Sequence, residues 1–486
     1  MAAIMIQGTS SDAGKSLVVA GLCRAFRRQG LDVRPFKPQN MSNNAAVTAC
    51  GGEIGRAQAL QARACGLAPT TDMNPILLKP QTDVGAQIVV RGKVQRNATA
   101  REYYTLKDEL LPIAIESFET LKAGCDIVIV EGAGSPAEVN LRHADIANMG
   151  FAVPTDTPVI LVGDIERGGV IANMIGTYHL LESEERALLS GYIINKFRGD
   201  VTLFDDGLTR ITQETGIRSF GILPWFEAAR RLPAEDALGL SRYAGKSAGN
   251  VSIAVPIFSR VANFDDLDPL AAEPDVDLVM VQPGEPIPAG ADLILLTGSK
   301  ATRTDLAFLF NQGWDIDIQA HVRRGGAVLG LCAGYQMLGH SVADPTGVEG
   351  TAGETKGLAL LDMETVLGGD KTLSSVEGRD LASDLPISGY EMHIGETDGP
   401  ALANPMLRLS NRNDGAVSSN GLVSGCYVHG LFASDQFRSA FLGKLKDGTF
   451  GSARYETMVE KTLDDLAEHC AQHLDLEAIG SAAGLN

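Results

Sequence analysis

Short apolar runs alternate with longer segments of helical periodicity through the first half of the chain. Ala3–Gln7, Val33–Lys37, Ile127–Val130, Val159–Val162, Tyr192–Asn195 and Phe220–Leu223 read as buried strands. Ser16–Arg28, Glu53–Cys65, Tyr104–Leu121 and Asn173–Leu181 read as helices. Such alternation predicts βαβ units and a mostly parallel sheet covered on both faces, with ligands at the carboxyl ends of the strands. Between Leu232 and Asn250 the chain is rich in Gly, Ala, Ser and charge and shows no periodic apolar face, as expected of a linker. A second α/β series follows, with strands predicted at Ser252–Val255, Leu278–Val281, Leu293–Leu296 and Ala327–Leu331. Beyond Gly353 the pattern turns more β-like, and it closes on two helical segments, Gln436–Lys446 and Tyr455–His473. No internal repeat is visible.

Length agrees with this division. Single cores rarely grow past roughly 250–300 residues, so 486 residues imply two domains. The expected boundaries are 1–231, a linker at 232–250, and 251–486. A net charge of −19 with no Lys/Arg run argues against nucleic acid as a partner. Screening acts over about 8 Å in physiological salt, so an anionic substrate must be received by local Lys and Arg groups. The seven cysteines are scattered, odd in number and lack CxxC spacing, which fits a reducing cytoplasm better than a disulfide framework or a structural zinc. The N-terminus reads as a strand feeding a loop and not as a signal peptide, and no apolar run approaches the roughly 20 residues needed to cross a bilayer. A soluble cytoplasmic protein with no membrane partner is expected; the oligomeric state is not legible.

Gly8-Thr9-Ser10-Ser11-Asp12-Ala13-Gly14-Lys15-Ser16 joins the first strand to the first helix. Loop N–H groups and the helix N-terminus can surround phosphate oxygens, Lys15 adds a point charge at the β/γ-phosphates, and the Ser16 hydroxyl can ligate Mg²⁺. The first Gly stands one residue further from Gly14 than the standard phosphate-loop pattern requires. Glu131 ends an apolar strand and is followed by Gly132-Ala133-Gly134, which places a carboxylate across the sheet crevice from the phosphates and favours a Mg²⁺ role. Asn195-Lys196 ends another strand; reading a nucleotide base and an ordinary strand end are both open there. Asp164 is similarly placed, with site and loop roles both open.

In the second half, Gly330-Leu331-Cys332-Ala333-Gly334-Tyr335-Gln336 turns from a buried strand straight into a helix. A nucleophile on such a turn is exposed, loop amides can stabilise an oxyanion, and the helix N-terminus favours thiolate. Free Cys is only a few per cent thiolate at neutral pH, so a base is required, and His429 at the end of Leu422–Val428 is the candidate. Strand alternation turns Cys426 to the opposite face. The Gly298 amide, in the loop Leu296-Thr297-Gly298-Ser299-Lys300, can join that of Ala333 as an oxyanion donor.

At its long Gly-x5-Gly-Lys-Ser loop the first half resembles the dethiobiotin synthetase-like branch of phosphate-loop enzymes. That resemblance implies ATP-driven phosphorylation of a substrate carboxylate, with Lys37 meeting the transferred phosphate. The second metal-holding carboxylate of that branch is replaced by amides in Phe36–Asn44. The Gly-x-Cys-x-Gly-x-Gln elbow, the upstream Gly-Ser loop and the late His resemble the class I glutamine amidotransferase domain, which implies glutamine-binding roles for Gly298, Ala333 and Gln336. Where that class reads His-Pro-Glu, this chain reads His429-Gly430-Leu431, so the triad is expected to shrink to a Cys–His pair with low uncoupled glutaminase activity.

Taken together, the halves resemble the cobyrinic and cobyric acid amidases. Phe36–Asn44, Asn263–Leu270, Gly389–His393 and Tyr427–Phe432 are similar to the cobyric acid synthase family, whereas the a,c-diamide synthases carry a Gly-Pro-Asp-type segment at Phe36–Asn44. Thr297, Ala301 and Ala333 stand where Pro, Asn and Gly are usual. The resemblance implies amidation of carboxylates b, d, e and g of adenosylcobyrinic acid a,c-diamide in cobalamin biosynthesis. The small-molecule substrates would be glutamine, ATP and the corrinoid polycarboxylate, with Mg²⁺ as cofactor and a shielded route for unprotonated ammonia. The rival readings are the sister diamide synthase or another polycarboxylate amidase, a partition-type switch ATPase, and a binding module with a dead glutaminase domain. The Cys332/His429 half speaks against the last two.

Overall fold

The computed structural model describes residues 1–80, 85–233, 250–446, 450–451 and 453–485. The linker expected at 232–250 lies, over 234–249, outside the described residues. Two compact units are present. The first comprises Met1–Ser42, Gly52–Leu232 and Val459–Asn486, and the second Asn43–Gly51 and Pro233–Met458.

The first unit is built on six parallel strands in the order Ser219–Pro224, Leu189–Phe197, Val159–Asp164, Ala2–Gly8, Ile127–Glu131 and Val33–Phe36. Residues 127–130 and 159–162 are wholly buried, as continuous apolar strands must be when helices cover both faces. All six predicted strands are present. The helices are less regular than their periodicity implied. Glu53–Gly55 is a short strand and the helix starts at Arg56. The helix expected over Tyr104–Leu121 starts at Lys107 and runs to Lys122, and a separate short helix, Ala100–Tyr103, precedes it, capped by Thr99 and Glu102. A four-stranded sheet of Gln39–Met41, Ile76–Pro80, Gly85–Val90 and Lys93–Thr99 was not anticipated.

Val459–Asn486 packs with the first unit, so the contiguous division at 232–250 needs correcting. The cause is local chemistry. Arg24, almost buried, holds Glu460 and Asp464 at 2.8 Å each, and Arg63 holds Glu460 at 2.8 Å. Gly21 lets the two helices touch, since a Cβ there would lie 2.5 Å from the Cys470 sulfur. Arginines at positions 24 and 63 are far from residue 460 in sequence, and no periodicity reports their pairing.

The second unit carries a sheet ordered Val276–Val281, Val251–Pro256, Leu293–Leu296, Ala327–Leu331, Val423–Cys426 and Ala416–Val417, parallel except at the last edge. A second, antiparallel sheet pairs Thr372–Asp380 with Pro386–His393, and the latter with Val428–His429. The chain therefore leaves one sheet at Cys426 and joins the other at Val428. Arg438, fully buried, anchors this unit through Glu273 at 2.7 Å and the Phe432 carbonyl. Truncation by Arg438→Ala would remove the buried cation that faces the Glu273 carboxylate. It should destabilise the unit by about 3–5 kcal/mol, read from urea unfolding.

Candidate active sites

The phosphate loop follows the central strand of the first sheet. Lys15 donates to the Ser10 carbonyl at 3.2 Å and to the Gly134 carbonyl at 3.0 Å. Its ammonium thus bridges the loop and the strand end carrying Glu131. Glu131 is itself a hub: its Oε1 accepts from the Ser16 hydroxyl at 2.8 Å and from Lys37 at 2.7 Å, while Gln61 donates to Oε2. Ser16, Lys37 and Glu131, chosen from separate motifs, therefore meet at one point.

Asn195 and Lys196 lie beside the loop. Asn195 Nδ2 donates to the Ala13 carbonyl at 2.9 Å, and Lys196 donates to the Asp12 carbonyl and to Asp164 at 2.9 Å. These contacts brace the loop's shape, and they put Asp164 in the same bracing. Asp12 also takes a salt bridge from Arg167 at 3.0 Å. On this side a cavity of about 140 Å³ opens between Gly14, Leu17, Val18, Asn195, Trp225 and the C-terminal helix residues Leu466, His469 and Cys470. That helix wall escaped the sequence reading, because nothing in 455–473 signals proximity to residue 14. The oxygen pair of Ser16 and Glu131 suits a hard cation such as Mg²⁺, although Lys37 shares the same carboxylate oxygen.

In the second unit the strand Ala327–Leu331 ends at Cys332, whose backbone stands at φ 53°, ψ −110°. A non-glycine residue held there costs on the order of 1–3 kcal/mol, and such strain gathers at functional turns. Gly334 makes the turn possible, because a Cβ there would sit 2.1 Å from the Leu296 carbonyl oxygen. Cys332, Ala333, Gln336, Gly298, His393 and His429 line one small pocket. The Cys332 thiol donates to the Met392 carbonyl at 3.6 Å. Gln336 is committed to the wall, donating to the Ile394 carbonyl at 3.0 Å and the Tyr427 hydroxyl at 3.2 Å. Cys426, fully buried, has its thiol pKa pushed up by burial and donates toward the Val428 carbonyl.

His429 is not a base without a partner, and the expected Cys–His pair is corrected here. Its Nδ1 lies 2.7 Å from Asp266 Oδ2, while the Gly430 amide donates to Oδ1 at 2.6 Å. Leu431, in the position of the missing Glu, is buried in the apolar core, and the carboxylate comes instead from a short turn 163 residues upstream. Nε2, the nitrogen opposite Nδ1, has no hydrogen-bond partner among the described residues, although the Cys332 sulfur is near enough to act on the ring. Burial alone would lower the imidazole pKa; the Asp266 carboxylate, then Cys332, outweigh it and raise it to about 10. The folded value lies above the ordinary 6.5, so the pair stabilises fully below about pH 6.5. That contribution fades as pH climbs toward 10. Asp266 lies inside the Asn263–Leu270 segment, and the sequence alone gives it no role. Its signal was a carboxylate two residues past Phe264, in a turn entered through Asn263 at φ 52°. Glu349 also lines the pocket, its carboxyl pushed up to about 7 by burial.

A phosphate loop at a parallel-sheet edge and a thiol–imidazole–carboxylate elbow define a nucleotide-binding amidotransferase. Residues 4–238 match the CobQ/CobB/MinD/ParA nucleotide binding domain, and residues 252–437 match the CobB/CobQ-like glutamine amidotransferase domain. Cobyric acid synthase of Bradyrhizobium diazoefficiens is 60% identical over 99% of both chains. That of Rhodobacter capsulatus is 61% identical over 99% of both, and that of Methylorubrum populi 58% over 98% of both. The chain belongs to the cobyric acid synthase family and is an amide-forming ligase. Among the described residues no helix is long and apolar enough to cross a membrane.

Asp266→Asn should reduce glutamine hydrolysis about 10²-fold or more. The imidazole pKa should also fall toward its ordinary value, moving the pH–rate profile to lower pH. A variant with the wild-type rate and profile would show that Asp266 does not orient His429.

Proposed function

We propose that this enzyme amidates carboxylates b, d, e and g of adenosylcobyrinic acid a,c-diamide, using ATP and glutamine, to give adenosylcobyric acid. The observation that carries it is the joint presence, in one chain of this family, of the Lys15–Ser16–Lys37–Glu131 cluster and the Cys332–His429–Asp266 constellation.

A carboxylate does not react with ammonia in water, because hydroxide is a very poor leaving group. Phosphoryl transfer from ATP to the carboxylate replaces hydroxide by phosphate. Lys15 and the loop amides neutralise charge on the transferring group, and Lys37 stands where the acceptor oxygen meets it. Ser16 and Glu131 would hold Mg²⁺, which when bound adds positive charge at the phosphates. Asn195 and Lys196 keep the loop in its receptive shape, and the cavity lined by Leu17, Val18 and Trp225 takes the nucleoside.

In the second unit Cys332 attacks the glutamine side-chain amide. His429, held by Asp266, passes a proton from the thiol to the departing nitrogen, and water then opens the thioester to glutamate. The Gly298 and Ala333 amides receive the oxyanion. Lys300 and Glu349 line the same pocket and are placed to meet the carboxylate and the ammonium of glutamine. The ATP half-reaction is assigned to the first unit, Met1–Ser42, Gly52–Leu232 and Val459–Asn486, and the glutamine half-reaction to the second, Asn43–Gly51 and Pro233–Met458.

Cys332→Ala should abolish glutamine-dependent synthesis and leave synthesis from added ammonia near wild type, measured by product formation with each nitrogen source. Continued use of glutamine would misplace the nucleophile. Lys15→Ala should remove both routes, with kcat down by about 10³-fold or more; survival of either would refute the phosphate-loop assignment.

A further inference from the structure

Two cavities of different character lie in the first unit near the phosphate loop. The smaller begins at Gly14 and runs along the first turn of the following helix, which is where a nucleoside extends from phosphates held at a helix N-terminus. The larger, about 380 Å³, has Ala133, Gly134 and Pro136 in its lining. Gly134 is the residue whose carbonyl receives Lys15 at 3.0 Å, so this cavity adjoins the end at which phosphate is transferred. Asn148 fixes that loop, accepting from the Ala133 amide at 3.1 Å and donating back to the Ala133 carbonyl.

Its walls are mostly apolar: Met41, Leu78, Ile88 and Ala98 from the unanticipated four-stranded sheet, together with Tyr103, which packs on that cluster, and Tyr104. Tyr103 is held in place by donating to Gln39 Oε1 at 2.8 Å. Met41 is 59% exposed and Tyr104 37% exposed. Large apolar side chains gathered at one polar-edged concavity mark a ligand site more often than scattered surface residues do. Gln39 and Met41 belong to the Phe36–Asn44 segment, to which the catalytic chemistry gave no role beyond Lys37.

We propose that this cavity is the acceptor site and that it takes one face of a broad, flat, apolar macrocycle with carboxylate arms. Met41 and Tyr104 pack on the ring, and one arm at a time reaches past Gly134 to Lys15 and Lys37. The proposal rests on the amidation reading above and specifies where its substrate sits. A volume of about 380 Å³ is at the lower end of ligand pockets. It suits a ring laid against a wall better than one engulfed, and a ring so held can turn to offer different arms without a different site for each.

The test is equilibrium dialysis of cobyrinic acid a,c-diamide, followed by its visible absorbance, against the full chain without ATP or glutamine. Wild type should bind, and Met41→Glu and Tyr104→Glu should each weaken binding at least tenfold, while Tyr104→Phe binds as wild type does. ATP affinity, measured in parallel, should stay within twofold in all three. Wild-type corrinoid affinity in both Glu variants would overturn the site while leaving the amidation reading intact. An equal loss of ATP affinity would also overturn it, because the effect would then not be on the acceptor. If the wild-type chain neither bound nor amidated the corrinoid, the reading of function would fall and this site with it.

Discussion

A buried carboxylate gripping a buried nitrogen is the interaction on which the second unit turns. His429 and Asp266 are both shut off from solvent, where a lone charge would be costly and a lone imidazole free to rotate. Paired at 2.7 Å, with the Gly430 amide on the second oxygen, they fix each other. The ring is left with a single open nitrogen, and the turn at Cys332 brings the thiol to it. The first unit uses the same device. Glu131 is buried at a strand end and occupied by Ser16, Lys37 and Gln61, so these side chains beside the loop are held in place by one another.

Parallel sheets explain why such constellations form at all. Every strand of a parallel set delivers its last residue to one edge, and there Gly8, Glu131, Asp164 and Asn195 converge in one unit and Leu296 and Leu331 in the other. Loops leaving that edge need only a few residues to bring a lysine or a cysteine into place. His429 is the exception that the antiparallel sheet makes possible. The crossing between Cys426 and Val428 shifts the chain from one sheet to the other, which aims the imidazole back at the elbow.

Strands and loops that carry their own chemistry were legible in the sequence. The six strands of the first sheet, the phosphate loop and the Cys332 elbow each announce themselves within a dozen residues, by apolar runs or by glycine spacing. Contacts across long separations were not. Asp266 was passed over because the expected orienting acid lies two residues beyond the histidine, and here it lies 163 residues before it. The C-terminal helix was assigned by contiguity to the second domain, yet its acids at 460 and 464 pair with Arg24. The sheet that walls the larger cavity was hidden for another reason: Lys93–Thr99 is mostly exposed, so it lacks the apolar run that marks a buried strand.

The proposed reaction requires that nitrogen released at Cys332 arrive in the corrinoid as amide. The direct measurement is mass spectrometry of product made from cobyrinic acid a,c-diamide, ATP and glutamine labelled with ¹⁵N in its side-chain amide. Four labelled nitrogens should enter successively, with glutamate and ADP formed in step. Amide product free of label, or glutamate released without any amidation, would contradict it.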